Sequence, residues 1–334
     1  MTEYDDSAGH PSPHGKKELT FDASPSKVEM RMTSSEAEEK PTEDVDIFEP
    51  TLNPVDCVNR KELGRAMFAE FLGMTLFVFV GCGTAISSAA LNDIDPTAAS
   101  TVRLMPIAMA FGIGIVVLVY GVATFSGGHL NPAVTMLVLM MKKMSPHRAL
   151  LYIMSQCCGA IFGAMILWFV SSDTGYGQPA FNLGANALAD NLTTGQGLVL
   201  EIMGTLLLCL TVFFTAIRKA GPTDGPPDLA PLCIGLSVFL SHLVLIPFTG
   251  CGINPARTLG PAFVGWLVQG NDNNDAFFGP DAWIYYVGPV MGAAIATIIA
   301  HILGEHDDGT EHTFMDEERT VVSPQTSQTL KTVK

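Results

Sequence analysis

The chain has 334 residues, 48% of them hydrophobic and only 15% charged, yet its formal net charge is −15. Soluble domains carry about 25% charged residues, so a soluble reading fails unless the charge is segregated, and it is. Residues 1–60 hold 14 acidic and 6 basic side chains, residues 304–334 hold 7 and 3, and the 243 residues between hold 12 and 9. This excludes a nucleic-acid binder driven by a basic surface and a small disulfide-stapled secreted scaffold.

Residues 1–60 read as a disordered acidic tail, rich in Ser, Thr and Pro, with clusters such as Glu36-Ala37-Glu38-Glu39. Met1 is followed by acidic and polar residues rather than a basic and then apolar run, so no cleaved signal peptide is expected. From 61 to 303 the chain is an apolar block. A helix needs roughly 20 apolar residues to cross a ~30 Å hydrocarbon core. Six stretches qualify: about 66–91, 104–123, 149–170, 197–217, 229–248 and 282–303. Two more, 132–141 (PAVTMLVLMM) and 255–267 (PARTLGPAFVGWL), are too short to span and are predicted to be re-entrant. Each starts on the same tripeptide, Asn131-Pro132-Ala133 and Asn254-Pro255-Ala256. Residues 304–334 form a second polar tail.

Six spans put both termini on one side. That side's flanks hold Arg60, Lys61, Arg65, Lys142, Lys143, Arg148, Arg218 and Lys219, against Arg103 opposite, which predicts cytoplasmic termini. The outer connection 171–195 carries Asn191-Leu192-Thr193, a glycosylation match at Asn191 on the lumenal side. The inner connection 218–229 (RKAGPTDGPPDL) is Pro/Gly-rich and a candidate gate, as is the N-terminal tail. The seven cysteines show no metal-ligand spacing, and no cofactor is expected.

The block repeats internally. Glu70-x-x-Gly73-x-Thr75 precedes the first Asn-Pro-Ala, and Glu201-x-x-Gly204-Thr205 precedes the second. The third span of each half carries a small-residue pair, Gly159/Gly163 and Gly288/Gly292. Repeats of about 61–170 and 196–303, each three spans and one short segment, have opposite orientation in the membrane. Inverted repeats with broken helices place a substrate path at their interface, near the midplane. The expected fold class is therefore an all-α membrane protein with six transmembrane helices and two re-entrant half-helices.

Asn is a preferred N-cap and Pro a preferred first helical residue. Each tripeptide is thus a helix start whose positive dipole end points at the membrane centre. The Asn oxygen caps the backbone and is expected to leave its NH2 free. Two such donors facing each other make a passing water present its oxygen to both, and the field opposes cations. Arg257 adds an intramembrane charge, which is functional by default. Glu70 and Glu201, one per half, are expected to accept hydrogen bonds from the irregular backbone before each half-helix rather than to relay protons.

SGGHLNPAVT (126–135) and GCGINPARTLGPA (250–262) resemble the aquaporin, or major intrinsic protein, family, over about 61–303. The resemblance implies a tetramer with one pore per subunit in a lipid bilayer. It also implies a selectivity filter of Phe111, His242, Cys251 and Arg257 at the outer constriction. Carbonyls of Gly127, Gly128, His129, Gly250, Cys251 and Gly252 would form an acceptor ladder, and Phe77, Ile115, Leu208 and Val238 an apolar wall. Polyol conductors of the family usually have Gly at the His242 place and Asp at the Thr258 place, so the chain is similar to the water-selective branch. The function expected is a passive, proton-excluding water channel driven by osmotic gradients, probed best by osmotic shrinkage, and not an enzyme. Its expected place is the plasma membrane. The alternatives are a broader neutral-solute channel for hydrogen peroxide, glycerol or ammonia, or a pore-closed or gated member with an adhesion role; a secondary transporter would need a coupling-ion site the spans do not offer.

Overall fold

The computed structural model describes residues 60–94, 100–172, 179–218, 229–269 and 279–304. Nearly all of both acidic tails, Cys57 and most of the 218–229 connection lie outside the described residues. Helices run in the order α1 (Arg60–Ile94), α2 (Ser100–Ser126), α3 (Pro132–Met140), α4 (Pro146–Ser171), α5 (Thr194–Val212), α6 (Ala230–Thr249), α7 (Pro255–Gln269) and α8 (Ile284–Gly304). A 3-10 turn, Pro179–Gly184, precedes α5, and a π turn, Phe213–Ile217, extends it. There is no strand among the described residues. Six helices are long and apolar enough to cross a bilayer, and α3 and α7 are the two short ones, each starting on the proline after an asparagine.

Local chemistry sets the helix starts. Asn131 holds extended backbone, φ −163° and ψ 123°, and its Oδ1 accepts from Ala133 N at 2.8 Å, so α3 begins at Pro132. Asn254 Oδ1 accepts from Ala256 N at 3.1 Å and Arg257 N at 3.2 Å, and starts α7 in the same way. Ser145 caps α4 and Thr193 forms a capping box with Gln196 at α5. Gly250, with φ +72°, ends α6 in the left-handed conformation that glycine adopts at least cost.

Burial runs opposite to that of a soluble protein. Glu70, Glu201 and Gln156 are wholly buried, whereas Phe169 and Ile302 are 76% exposed. Polar groups that would be costly in hydrocarbon face inward, and the large apolar side chains face what lipid would occupy.

The halves meet where α2 crosses α6. A Cβ on Gly112 would stand 2.9 Å from the Gly235 carbonyl oxygen, and one on Gly235 would stand 2.5 Å from that of Gly112. Close helix approach in lipid needs such small residues, and this reciprocal contact lies on the repeat's symmetry axis. Within each half the last span packs on the first, α4 on α1 and α8 on α5. Here the register differs from a simple match of the two glycine pairs. Gly159 abuts the carbonyl of Phe71, next to Glu70, and it is Gly292, not Gly288, that abuts the carbonyl of Ile202, next to Glu201. Tyr152 and Tyr285 thereby become counterparts, both among the largest fully buried side chains.

Candidate functional site

The two half-helices meet tip to tip. Asn131 Nδ2 donates to the Ile253 carbonyl at 3.0 Å, and Asn254 Nδ2 donates to the Leu130 carbonyl at 2.8 Å. Each amide therefore spends one hydrogen across the repeat interface, and Asn254 Nδ2 also lies 3.9 Å from Met74 Sδ, a weak acceptor, where the sequence had suggested a wholly free NH2. The reason is local. Leu130 (φ 46°) and Ile253 (φ 44°) are left-handed, which turns their carbonyls away from any helix ladder. A carbonyl without a partner at membrane depth costs several kcal/mol, and the facing amide supplies that partner.

Each half holds the chain before its asparagine with one carboxylate. Glu70 Oε1 accepts from Ser126 Oγ (2.6 Å) and His129 N (2.9 Å), and Oε2 from Leu130 N (2.7 Å) and Gln156 Nε2 (2.7 Å). Glu201 Oε1 accepts from Thr249 Oγ1 (2.6 Å) and Gly252 N (2.9 Å), and Oε2 from Ile253 N (2.7 Å). The backbone repeats as closely. Gly127, Gly128 and Leu130 have positive φ, and so do Gly250, Cys251 and Ile253, each 123 positions later. The Gly252 carbonyl accepts from Asn254 N at 2.6 Å.

The predicted outer residues come together. Phe111 and His242 stack with ring centroids 4.3 Å apart, and the Arg257 guanidinium carbon lies 4.8 Å from the Phe111 centroid. Cys251 is buried in the same core cluster as Phe111, in a left-handed conformation (φ 57°). His242 Nδ1 lies 2.8 Å from the Val238 carbonyl, which only accepts, so Nδ1 carries the hydrogen. In the neutral ring Nε2 then presents a lone pair, and it has no protein partner, nor has Arg257 Nε. Both atoms are buried, and each keeps a hydrogen-bonding site that no protein group fills.

Phe77, Ile115, Leu208 and Val238 are all buried, and Phe77 meets Phe111 edge-on at 5.4 Å. Asn191 is exposed, two residues before Thr193, whose hydroxyl accepts from Gln196 N at the start of α5. Cys82, Cys157, Cys158, Cys209, Cys233 and Cys251 are free thiols. Among the described residues no cluster of His, Cys, Asp and Glu could hold a metal.

Three participants were not singled out from sequence. Asn186 Oδ1 accepts from Arg257 Nη1 (3.0 Å) and Thr258 Oγ1 (2.9 Å), and the Gly184 carbonyl accepts from Arg257 Nη1 (2.9 Å). Gly184 and Asn186 sit in the connection between α4 and α5, more than 70 positions before the arginine. Gln156 joins Glu70 to Thr135, whose oxygen also contacts His129 Nδ1 at 3.1 Å. The only available signal for Asn186 was a polar residue in a short Gly/Ala/Asn stretch, which any turn would share.

An inverted repeat of six spans and two capped half-helices, closed on one side by an arginine and two rings, defines an aquaporin-type channel. The family model described as "Major intrinsic protein" matches residues 58–300, and the chain belongs to that family, in its water-selective branch. It is 44% identical over 256 residues to aquaporin PIP2-4 of Oryza sativa subsp. japonica, covering 75% of this chain and 85% of that relative. It is 43% identical over 241 residues to aquaporin-1 of Homo sapiens, covering 72% and 82%. The X-ray structure of the aquaglyceroporin from Plasmodium falciparum superposes with a TM-score of 0.62 at 19% identity, covering 71% of this chain and 95% of that one, which shows the shared fold. The protein is a multi-pass membrane protein of a channel family, not an enzyme.

Proposed function

We propose that the protein is a passive, proton-excluding water channel driven by osmotic gradients, with the path running between the two repeats. The observation that carries this reading is the tip-to-tip pair of asparagines, each donating one N–H across the interface, with Asn254 making only a weak second contact to the Met74 sulfur. The N–H groups not spent across the interface stand at the crossing of two positive helix ends, where they orient a water oxygen, displacing the weak sulfur contact, and oppose a cation. Asn131, Pro132, Ala133, Asn254, Pro255 and Ala256 form this centre. Phe111, His242, Cys251 and Arg257 form the filter, and the carbonyls of 127–129 and 250–252 supply acceptors on either side. Phe77, Ile115 and Val238 line the wall. Glu70 and Glu201 act structurally, since the hydrogen bonds they accept already hold the loops.

Phe111, His242 and Arg257 crowd together at one end of the path, and this bulk favours water over glycerol. We further propose that 61–303 is the channel domain, that 1–60 and 304–334 are cytoplasmic tails, that the channel sits in the plasma membrane, and that it assembles as a homotetramer. Stopped-flow light scattering on proteoliposomes tests the reading. Shrinkage in sucrose should run about tenfold or more above bare lipid, glycerol entry should stay near the lipid rate, and mercuric ion should slow wild type but not Cys251→Ser. Shrinkage at the bare-lipid rate, with and without residues 1–50, would overturn it.

A further inference from the structure

Arg257 is held in an uncommon manner for a buried cation. Buried charges are usually paired with an opposite charge. Here, among the described residues, the guanidinium hydrogen bonds end on neutral oxygens, the Gly184 carbonyl and the Asn186 amide, both through Nη1. Asn186 is itself 1% exposed and its orientation is fixed by its neighbours. Its oxygen takes hydrogens from Arg257 and Thr258, and its Nδ2 lies 3.5 Å from the Thr249 carbonyl, which can only accept. Thr249 in turn donates to Glu201. The connection between α4 and α5 is tightened onto this spot: Gly184 is left-handed (φ 71°), and a Cβ there would stand 2.9 Å from the Cys82 Cβ.

We propose that Asn186 is a positioning residue for selectivity: it fixes the direction of Arg257 with a neutral acceptor, so that the guanidinium keeps its full charge toward the path. The inference rests on the channel reading above. A carboxylate at this place would satisfy the same two donors in nearly the same shape, because Asp and Asn are isosteric. It would also put a negative charge at hydrogen-bond distance from the guanidinium and cancel the field that repels cations. An apolar isostere would do the reverse. It would leave the charge in place but free the guanidinium from one of its two hydrogen-bond acceptors, leaving the Gly184 carbonyl and the Phe111 ring.

Two variants separate these effects in proteoliposomes of the full chain, matched for channel content by quantitative blotting of the reconstituted vesicles. Osmotic shrinkage reads water flow, and entrapped pyranine under a potassium–valinomycin potential reads proton entry. Asn186→Asp should keep water flow within about twofold of wild type and raise proton entry by about tenfold or more. Asn186→Leu should lower water flow per channel several-fold, because a less firmly held Arg257 swings into the constriction, while proton entry stays low. A residue that only braces the loop would change the yield of folded protein in both variants and leave both flows per channel as in wild type. That result overturns the proposal, as does an Asn186→Asp channel that conducts water and excludes protons like wild type. If Asn186→Asp does not reconstitute, Asn186→Leu decides alone, and wild-type flow through it overturns the proposal. A wild-type channel no faster than bare lipid would instead sink the channel reading itself.

Discussion

In the first half Glu70 gathers the Ser126 hydroxyl and the amides of His129 and Leu130; in the second Glu201 gathers the Thr249 hydroxyl and the amides of Gly252 and Ile253, with matching distances. The backbones agree residue for residue, down to the positive φ values. The side chains of the proposed filter have no like counterparts. Counted from the two asparagines, Arg257 corresponds to Val134, His242 to Val119, Phe111 to Ile234 and Cys251 to Gly128. The counterparts are therefore small and aliphatic residues, all buried, and a Cβ on Gly128 would lie 3.0 Å from Val119. One frame, built twice, is specialised at one end only. The shared part holds an irregular backbone, and the divergent part is the one we propose to select.

That division can be tested by copying one half into the other. The largest effect is expected from Arg257→Val, which gives the outer end the residue of the inner end. Proton entry and glycerol entry should both rise about tenfold or more, because a fixed charge and its bulk disappear together, and pyranine and glycerol-gradient assays read both. If exclusion survives, the asparagine centre alone selects and the two ends do not differ in function.

Next come the carboxylates. Gln offers one acceptor oxygen where each Glu offers two, and its NH2 would face backbone N–H groups. Glu201→Gln should cost about 2–4 kcal/mol. Glu70→Gln should cost more, because the Gln156 amide also loses its acceptor. Thermal unfolding in detergent gives the order, and equal midpoints with altered proton flow would point to a relay.

The axis contact is expected to be somewhat more tolerant. Gly112→Ala and Gly235→Ala should each cost about 1–3 kcal/mol through overpacking. Gly235 should be the worse, since its new Cβ would collide with Val116 and press on the Gly112 carbonyl. The smallest change is Cys251→Gly, a copy of Gly128. A left-handed non-glycine residue carries roughly 1–2 kcal/mol of strain, so the variant should unfold no earlier than wild type and lose mercury sensitivity. A clear loss of stability would mean that the thiol's packing outweighs its strain.

Much of this was readable before any coordinates, for physical reasons. Six spans follow from length and apolarity, and both half-helices from an N-cap, a proline and a short apolar run. The paired glutamates stand out because a carboxylate inside a span is costly without a local purpose. Contacts between distant irregular segments were not readable. Asn186 meets Arg257 across 71 positions, from a connection with no periodicity to mark it. The asparagine amides cross to carbonyls 122 and 124 positions away, and only a left-handed φ at Leu130 and Ile253, which neither residue type suggests, makes those carbonyls available. The small-residue pairs were visible, but not their one-turn offset between α4 and α8, because a glycine row does not state which carbonyl it faces.

The Glu70 cradle also constrains how the chain is made. Glu70 lies in the first span, but its partners stand at 126, 129, 130 and 156. During synthesis α1 reaches the membrane with a carboxylate whose hydrogen-bond donors do not yet exist. Left alone in hydrocarbon it would be expelled or hydrated. The first helix therefore reaches its full stability only once the chain through α4 is present to supply these donors. Glu201 sets a shorter wait for the second half, ending at Ile253.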